Sequence, residues 1–236
     1  MADRPDPPLA HLHVVQPHRW DVTLDEARAI QHELAKRVSP VPALGEVRLI
    51  AGVDMSAKGV GRAAVVLLSY PALETLEIAR AEVPLVFPYV PGFLTFREGP
   101  AVLAAFARLR ALPDLILFDG QGIAHPRRLG IAAHLGVLLD RPSIGCAKSL
   151  LVGRLAGELP PEAGAWVSLK DRGETVGAAV RTRRAVNPIY VSIGHKIDLP
   201  TAVEWVLACC RGYRLPEPTR RAHNAAALPE PPAAAY

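Results

Sequence analysis

The stretch PDLILFDGQG, residues 113–122, constrains the fold most. Its apolar run shows no polar alternation, so both faces of the strand must be covered. Helical patterns on either side of it then point to a sheet with helices packed on its faces. The run ends in a carboxylate, Asp119, followed by Gly120 and Gly122 and then by His125, Arg127 and Arg128. In open α/β sheets the carboxyl ends of strands are where ligands bind.

The flanking patterns supply the remaining elements. VTLDEARAIQHELAKRV opens with Thr23 and carries Glu26 three residues later, a capping box that starts an amphipathic helix. VRLIAGVDMS reads as a strand with Asp54 near its end, and GRAAVVLLSY and LETLEIARAEV follow as strands after short breaks. A proline-rich loop, PLVFPYVPGFLTFREG, precedes a helix over EGPAVLAAFARLR. After PDLILFDG come a helix over RRLGIAAHLGVLL and a short strand in PSIGCAKSL. Further strand-like pieces lie in 165–194, a short apolar helix in 201–210, and a last helix over EPTRRAHNAAAL with Thr219 as its expected cap.

The order β-β-β-α-β-α-β predicts an α/β fold with a mixed five-stranded sheet. Three strands form an antiparallel meander, two join parallel to the first through helices, and extra strands and helices follow. Asp54 and Asp119 then end neighbouring strands, about 4.8 Å apart in the hydrogen-bonding direction. No linker divides the chain, so the expectation is one domain over 21–228, between a flexible extension, 1–20, and a flexible tail, 229–236.

Composition excludes several classes. Three cysteines, Cys146, Cys209 and Cys210, have neither disulfide-framework nor zinc spacing, which suits a reducing compartment. No apolar run is long enough for a bilayer span, and the N-terminus lacks a signal-peptide layout. A soluble cytoplasmic protein with no membrane partner is expected, and a monomer by default. The net charge is +4 and the pI about 9.1, compatible with a polyanionic partner. Between Arg181 and His223, eight basic residues (Arg181, Arg183, Arg184, Lys196, Arg211, Arg214, Arg220, Arg221) face three acids (Asp198, Glu204, Glu217). That excess reads either as a solvated face or as a surface tracking phosphates.

Two carboxylates held side by side repel unless a cation or proton joins them. Mg²⁺ takes oxygen ligands and keeps several waters, so a few protein carboxylates suffice. Glu98, expected at a helix start, is the third candidate. An aspartate at a strand end is ordinarily a turn former, and a glutamate there an ordinary helix-start charge. In the loop, Pro88 and Pro91 stiffen Tyr89 and Val90. Such an aromatic either wedges between bases or packs down on the core. Lys148 follows the fifth strand and could reach the same edge or simply be solvated.

IAGVDMS, PYVPGFLTFREGP, DGQGIAHPRRLGIAAHLG, GCAKSLLVG, NPIYVSIGHKIDL and GYRLPEPTRRAH, spanning about 50–223, together resemble the endonuclease V family, deoxyinosine-directed nucleases with an RNase H-like fold. The resemblance implies metal ligation by Asp54, Asp119 and Glu98, with Mg²⁺ as cofactor and Mn²⁺ able to substitute. It places Lys148 at the scissile phosphate and His223 as a further catalytic position, where other members can carry Asp. Pro88, Tyr89, Val90 and Pro91 match the strand-separating wedge. Gly92, Leu94, Gly120, Gly122 and Ile123 would line a lesion pocket, with Arg97, His125, Arg127 and Arg128 at phosphates. The implied activity is DNA repair by hydrolysis of the second phosphodiester 3′ to deoxyinosine. The implied partners are inosine-containing DNA and, as alternatives, inosine-containing RNA or single strands. Two rivals remain: another RNase H-like nuclease, and a non-catalytic nucleic-acid-binding protein.

Overall fold

The computed structural model of the chain describes residues 14–15, 18–56 and 59–228. In chain order the elements are α1 (Leu24–Ala35), β1 (Leu49–Ser56), β2 (Gly61–Ser69), β3 (Thr75–Val83), α2 (Leu94–Phe106), β4 (Leu115–Phe118), α3 (Ile131–Leu139), β5 (Ser143–Ala147), β6 (Arg154–Leu155), β7 (Trp166–Asp171), β8 (Glu174–Val180), β9 (Ile189–His195), α4 (Leu199–Ala208) and α5 (Glu217–Ala226).

The mixed sheet runs β3-β2-β1-β4-β5-β9-β8-β7-β6. The antiparallel meander β1–β3 and the parallel pairs β1·β4 and β4·β5 are as the sequence predicts. The sheet does not stop at five strands: β9 pairs antiparallel with β5, and β8, β7 and β6 extend it to nine. The edge of β5 has unpaired backbone groups that need partners, and the late strands supply them.

Alternation along β4 explains its unbroken apolar sequence. Ile116 and Phe118 join Ala51 and Val53 in a core covered by α2 and α3. Leu115 and Leu117 face the opposite way, with Ile50, beneath residues of α4 and α5. A strand filling two cores has no solvated face on which a polar residue would be tolerated.

Three local expectations shift. Helix α2 begins at Leu94, inside the expected loop, so Glu98 lies in its second turn and not at its start. Thr219 does not cap α5: Pro216 is the N-cap, and the Thr219 hydroxyl, inside the helix, donates to the Pro216 carbonyl at 3.2 Å. The expected flexible extension, 1–20, includes packed residues at its end. The Val15 N–H donates to the Leu138 carbonyl, and Trp20 stacks near His134 with centroids 5.8 Å apart. Residues 1–13 and the tail 229–236 lie outside the described residues. Among those described, no helix is long and apolar enough to cross a membrane.

This packed segment places two imidazoles together. His18 Nδ1 lies 2.8 Å from the Arg19 carbonyl, which can only accept, so Nδ1 carries the proton and Nε2 is bare. His134 Nε2, 2.8 Å away, must therefore donate, leaving His134 Nδ1 buried without a partner. Burial, then the neighbouring His18 and His125, holds the His134 pKa well below its ordinary value of 6.5. The unfolded chain thus binds protons that the folded chain refuses. This contribution to stability is complete above about pH 6.5 and is lost as pH falls below it. His134→Leu should flatten the decline of the urea midpoint between pH 7.5 and 5.5; an unchanged slope would show that the pair contributes nothing.

Candidate active site

The site begins with a register. Val53 pairs with Phe118 across the parallel strands, and the Asp119 N–H donates to the Val53 carbonyl at 2.9 Å. The next residue on β1 is Asp54, so the two carboxylates emerge together at the carboxyl ends of adjacent strands. Both side chains are largely buried, 12 % exposed for Asp54 and 9 % for Asp119. The Asp54 pKa is raised, first by burial and then by the Asp119 charge, against opposing hydrogen bonds from His223 and the Met55 N–H.

Helix α5 brings the third group. Gly52 and Asp54 lie on the same face of β1, two residues apart. A Cβ on Gly52 would sit 1.9 Å from the Pro218 carbonyl oxygen, so glycine lets the start of α5 press against the strand. From there the helix carries His223 to Asp54, with Nδ1 2.6 Å from Oδ2. Buried Glu217 fixes the helix start by pairing with Arg220 and Arg221, and these hydrogen bonds, Arg220 foremost, hold its carboxyl below the usual range.

Lys148 follows β5. Its ammonium lies 2.5 Å from Asp119 Oδ2 and 3.3 Å from His223 Nδ1. Arg214 donates to the Lys148 carbonyl at 2.6 Å and Gln121 to the Ser149 carbonyl at 2.9 Å, so the lysine's backbone is braced on two sides.

Glu98 approaches from the opposite layer on α2. Its carboxyl is pushed up to about 8 by burial, then by Asp54 and Asp119, with Arg97 opposing. Among the described residues, the ligand atoms of Asp54, Asp119 and His223 lie within 4.8 Å of one another. These three form the donor set that a hard divalent cation fits, and the Glu98 carboxyl stands near it, raised in part by both aspartate charges. The cation's charge would reverse the upward shifts.

The proline loop stands beside this cluster. Phe87 and Phe93 are buried with Phe96 and pin both ends, while Tyr89 projects, 71 % exposed. The alternative that Tyr89 packs down is not what the fold does. Behind the loop lies a pocket of about 140 Å³ lined by residues including Tyr89, Gly92, Leu94, His125, Ile131 and Leu151.

The other expected pocket residues are elsewhere. Gly122 is packed against β9, where a Cβ would lie 1.9 Å from the Ile193 carbonyl oxygen, and its N–H donates to Ser192 Oγ at 2.8 Å. A Cβ on Gly120 would meet Ile131 at 2.6 Å, and Ile123 contacts both core clusters. None of the three lines the pocket. Gln121, Gly130, Ile131 and Leu151, which do, carry no special spacing; only the fold assembles them.

The expected phosphate contacts are also engaged internally. Arg127 bonds Gln31 and the Gly92 carbonyl and lies 4.1 Å over the Phe93 ring. Arg128 pairs with Asp171 at 2.9 Å and Glu174 at 2.8 Å. Arg97 donates to the Phe87 carbonyl at 2.8 Å. His125 is buried, its Nδ1 accepting from the Arg127 N–H at 3.2 Å and its Nε2 3.0 Å from the Gly92 carbonyl. Burial and the neighbouring Arg127 push its pKa to about 4, so it is neutral, with its proton on Nε2. In the late basic cluster, Arg181, Lys196, Arg211, Arg214, Arg220 and Arg221 all bond to protein groups. These six therefore brace the fold, while Arg183, Arg184 and, among the six, Arg211 are exposed.

The family model described as Endonuclease V matches residues 32–224. The chain belongs to the endonuclease V family. It is 54 % identical over 213 residues to the endonuclease V of Dehalococcoides mccartyi, covering 89 % of this chain and 95 % of the relative. Its fold is similar to the crystal structure of endonuclease V from Streptomyces avermitilis, with TM-score 0.84 and 41 % identity over 89 % of this chain and 94 % of that one. It is also similar to a Ciona intestinalis endonuclease V, with TM-score 0.73 and 28 % identity over 87 % of this chain and 97 % of that one. That protein was crystallised with a 23mer DNA containing an inosine followed by a ribo-adenosine. Membership in this family makes the chain a nuclease, a hydrolase acting on DNA.

The seating of α5 can be tested directly. Gly52→Ala should lower stability by about 1–3 kcal/mol through overpacking against Pro218, read as a shift in the urea midpoint. A midpoint equal to wild type would mean that the helix does not depend on this contact.

Proposed function

We propose that this nuclease is a Mg²⁺-dependent DNA-repair endonuclease. It recognises deoxyinosine in DNA and hydrolyses the second phosphodiester 3′ to it, leaving 3′-hydroxyl and 5′-phosphate ends. The observation that carries this reading is the convergence of Asp54, Asp119, His223 and Lys148 beside a pocket lined in part by exposed Tyr89. The inosine-containing DNA in the Ciona relative supports the substrate class.

The chain's residues divide the work. Asp54, Asp119 and Glu98 would hold the cation, with His223 fixed against Asp54. When bound, the cation supplies Lewis-acid polarisation of the phosphate and lowers the pKa of a bound water. Lys148, set against Asp119, offers positive charge to the scissile phosphate. Water's oxygen ends on phosphorus, the bond from phosphorus to the 3′-oxygen breaks, and a proton ends on that oxygen. Tyr89 fills the gap left when hypoxanthine leaves the stack and enters the pocket. Weak pairing of inosine lowers the cost of extrusion and so contributes selectivity. The site lies on one chain, so a monomer suffices for this chemistry.

Asp54→Asn and Asp119→Asn should each reduce Mg²⁺-dependent cutting of an inosine duplex by about a thousandfold, several kcal/mol of lost charge stabilisation. DNA binding should largely survive. Matched inosine and undamaged duplexes, inosine RNA and an RNA–DNA hybrid, with cut sites mapped, test the substrate class. Near-normal cutting by both variants, or equal cutting of undamaged DNA, would overturn the assignment.

A further inference from the structure

The backbone carbonyl of Gly92, which closes the Pro88–Pro91 loop, is the target of three side chains. Gln31 Nε2 donates to it at 2.9 Å, His125 Nε2 at 3.0 Å, and Arg127 Nη2 donates as well. A carbonyl oxygen has two lone pairs, so three convergent donors leave it no free direction. The donors come from two separate parts of the chain, helix α1 and the turn after β4.

Gln31 is the unusual member. It is 1 % exposed and lies one turn from Ala27, itself buried against Phe87, Phe93 and Phe96. An apolar residue would ordinarily fill such a position, because burying an amide is costly unless both ends are bonded. Here both ends are bonded. The nitrogen donates to Gly92, and the oxygen accepts from Arg127 Nε. Arg127 also donates to Gly92 and stacks on Phe93, and its own N–H anchors His125 Nδ1. The result is a closed network from α1 through the 125–127 turn to the loop.

Its position relative to the pocket gives the network a use. Gly92 and His125 both line the pocket and touch each other there, whereas Gln31 is not part of the lining. We propose that Gln31 is a positioning residue for lesion discrimination: it locks the Tyr89 loop to the 125–127 turn and so sets the pocket's width and the wedge's stance. This rests on the inosine-directed reading above. A loop that drifts holds the extruded base and fills the stack less well. Undamaged and damaged duplexes then converge in reactivity, while the metal-binding acids stay in place.

The test uses the full-length enzyme and two variants. Gln31→Leu removes both bonds. Gln31→Glu keeps an acceptor for Arg127 but replaces the donor to Gly92 by an oxygen that repels the Gly92 carbonyl, and it serves if the leucine variant does not fold. In Gln31→Leu, the preference in kcat/KM for an inosine over an undamaged duplex should fall about tenfold, chiefly through KM. The kcat on inosine DNA should stay within about twofold. In the free protein, amide exchange across 87–93 should quicken in both variants, and the loss of preference should appear in Gln31→Glu as well. Unchanged preference and unchanged loop exchange in both variants would overturn the proposal, as would a loss confined to kcat. If the wild-type enzyme shows no inosine preference, the functional reading and the discrimination role fall together. The exchange measurement needs no substrate and separately decides whether Gln31 holds the loop.

Discussion

Parallel pairing of β1 with β4 holds Asp54 and Asp119 side by side, and the rest of the site is arranged around that repulsion. The strands cannot relax it, because each fills the cores on both faces of the sheet. The relief comes from elements added later in the chain. Lys148 meets Asp119 and His223 meets Asp54, each from a segment braced to receive it. Glu98 adds a third acid from the other layer and answers by holding its proton. The ligand atoms of Asp54, Asp119 and His223 lie close enough together to share one cation.

The loop beside the acids follows a different physical rule. It is short of secondary structure, so its shape depends on anchors: Phe87 and Phe93 in the core, Arg97 on the Phe87 carbonyl, and three donors on Gly92. Proline restricts the backbone locally, but only these anchors fix where Tyr89 stands. Several charges expected at phosphates have partners inside the protein. Arg127 and Arg128 are engaged within the protein, and so is most of the basic cluster after residue 180.

The legible and illegible parts divide along sequence distance. The capping box at Thr23 and Glu26, the meander, and the covered strand ending in Asp119 depend on local periodicity and were readable. The start of α2 was not, because Pro88 and Pro91 masked a helix that begins three residues after the second of them. Thr219 looked like a cap by residue type, yet Pro216, three residues earlier, took that place. Gln31 left a visible signal, a polar residue on the buried stripe Ala27–Gln31–Leu34, but its partners lie 61 and 96 residues away.

The sequence by itself determined the mixed sheet and the meeting of Asp54 with Asp119, because unbroken apolar strands and short connections leave few other pairings. Its motifs also carried the family. Only the tertiary structure decided what the glycines, arginines and histidines near the site do. Gly52 admits α5, Gly122 seats a turn against β9, and His125 is a neutral strut. A basic or glycine residue has the same local signature whether it meets solvent, phosphate or a carbonyl of its own chain. Which of these it meets is set by contacts between segments far apart in the chain, and those exist only once the chain has packed.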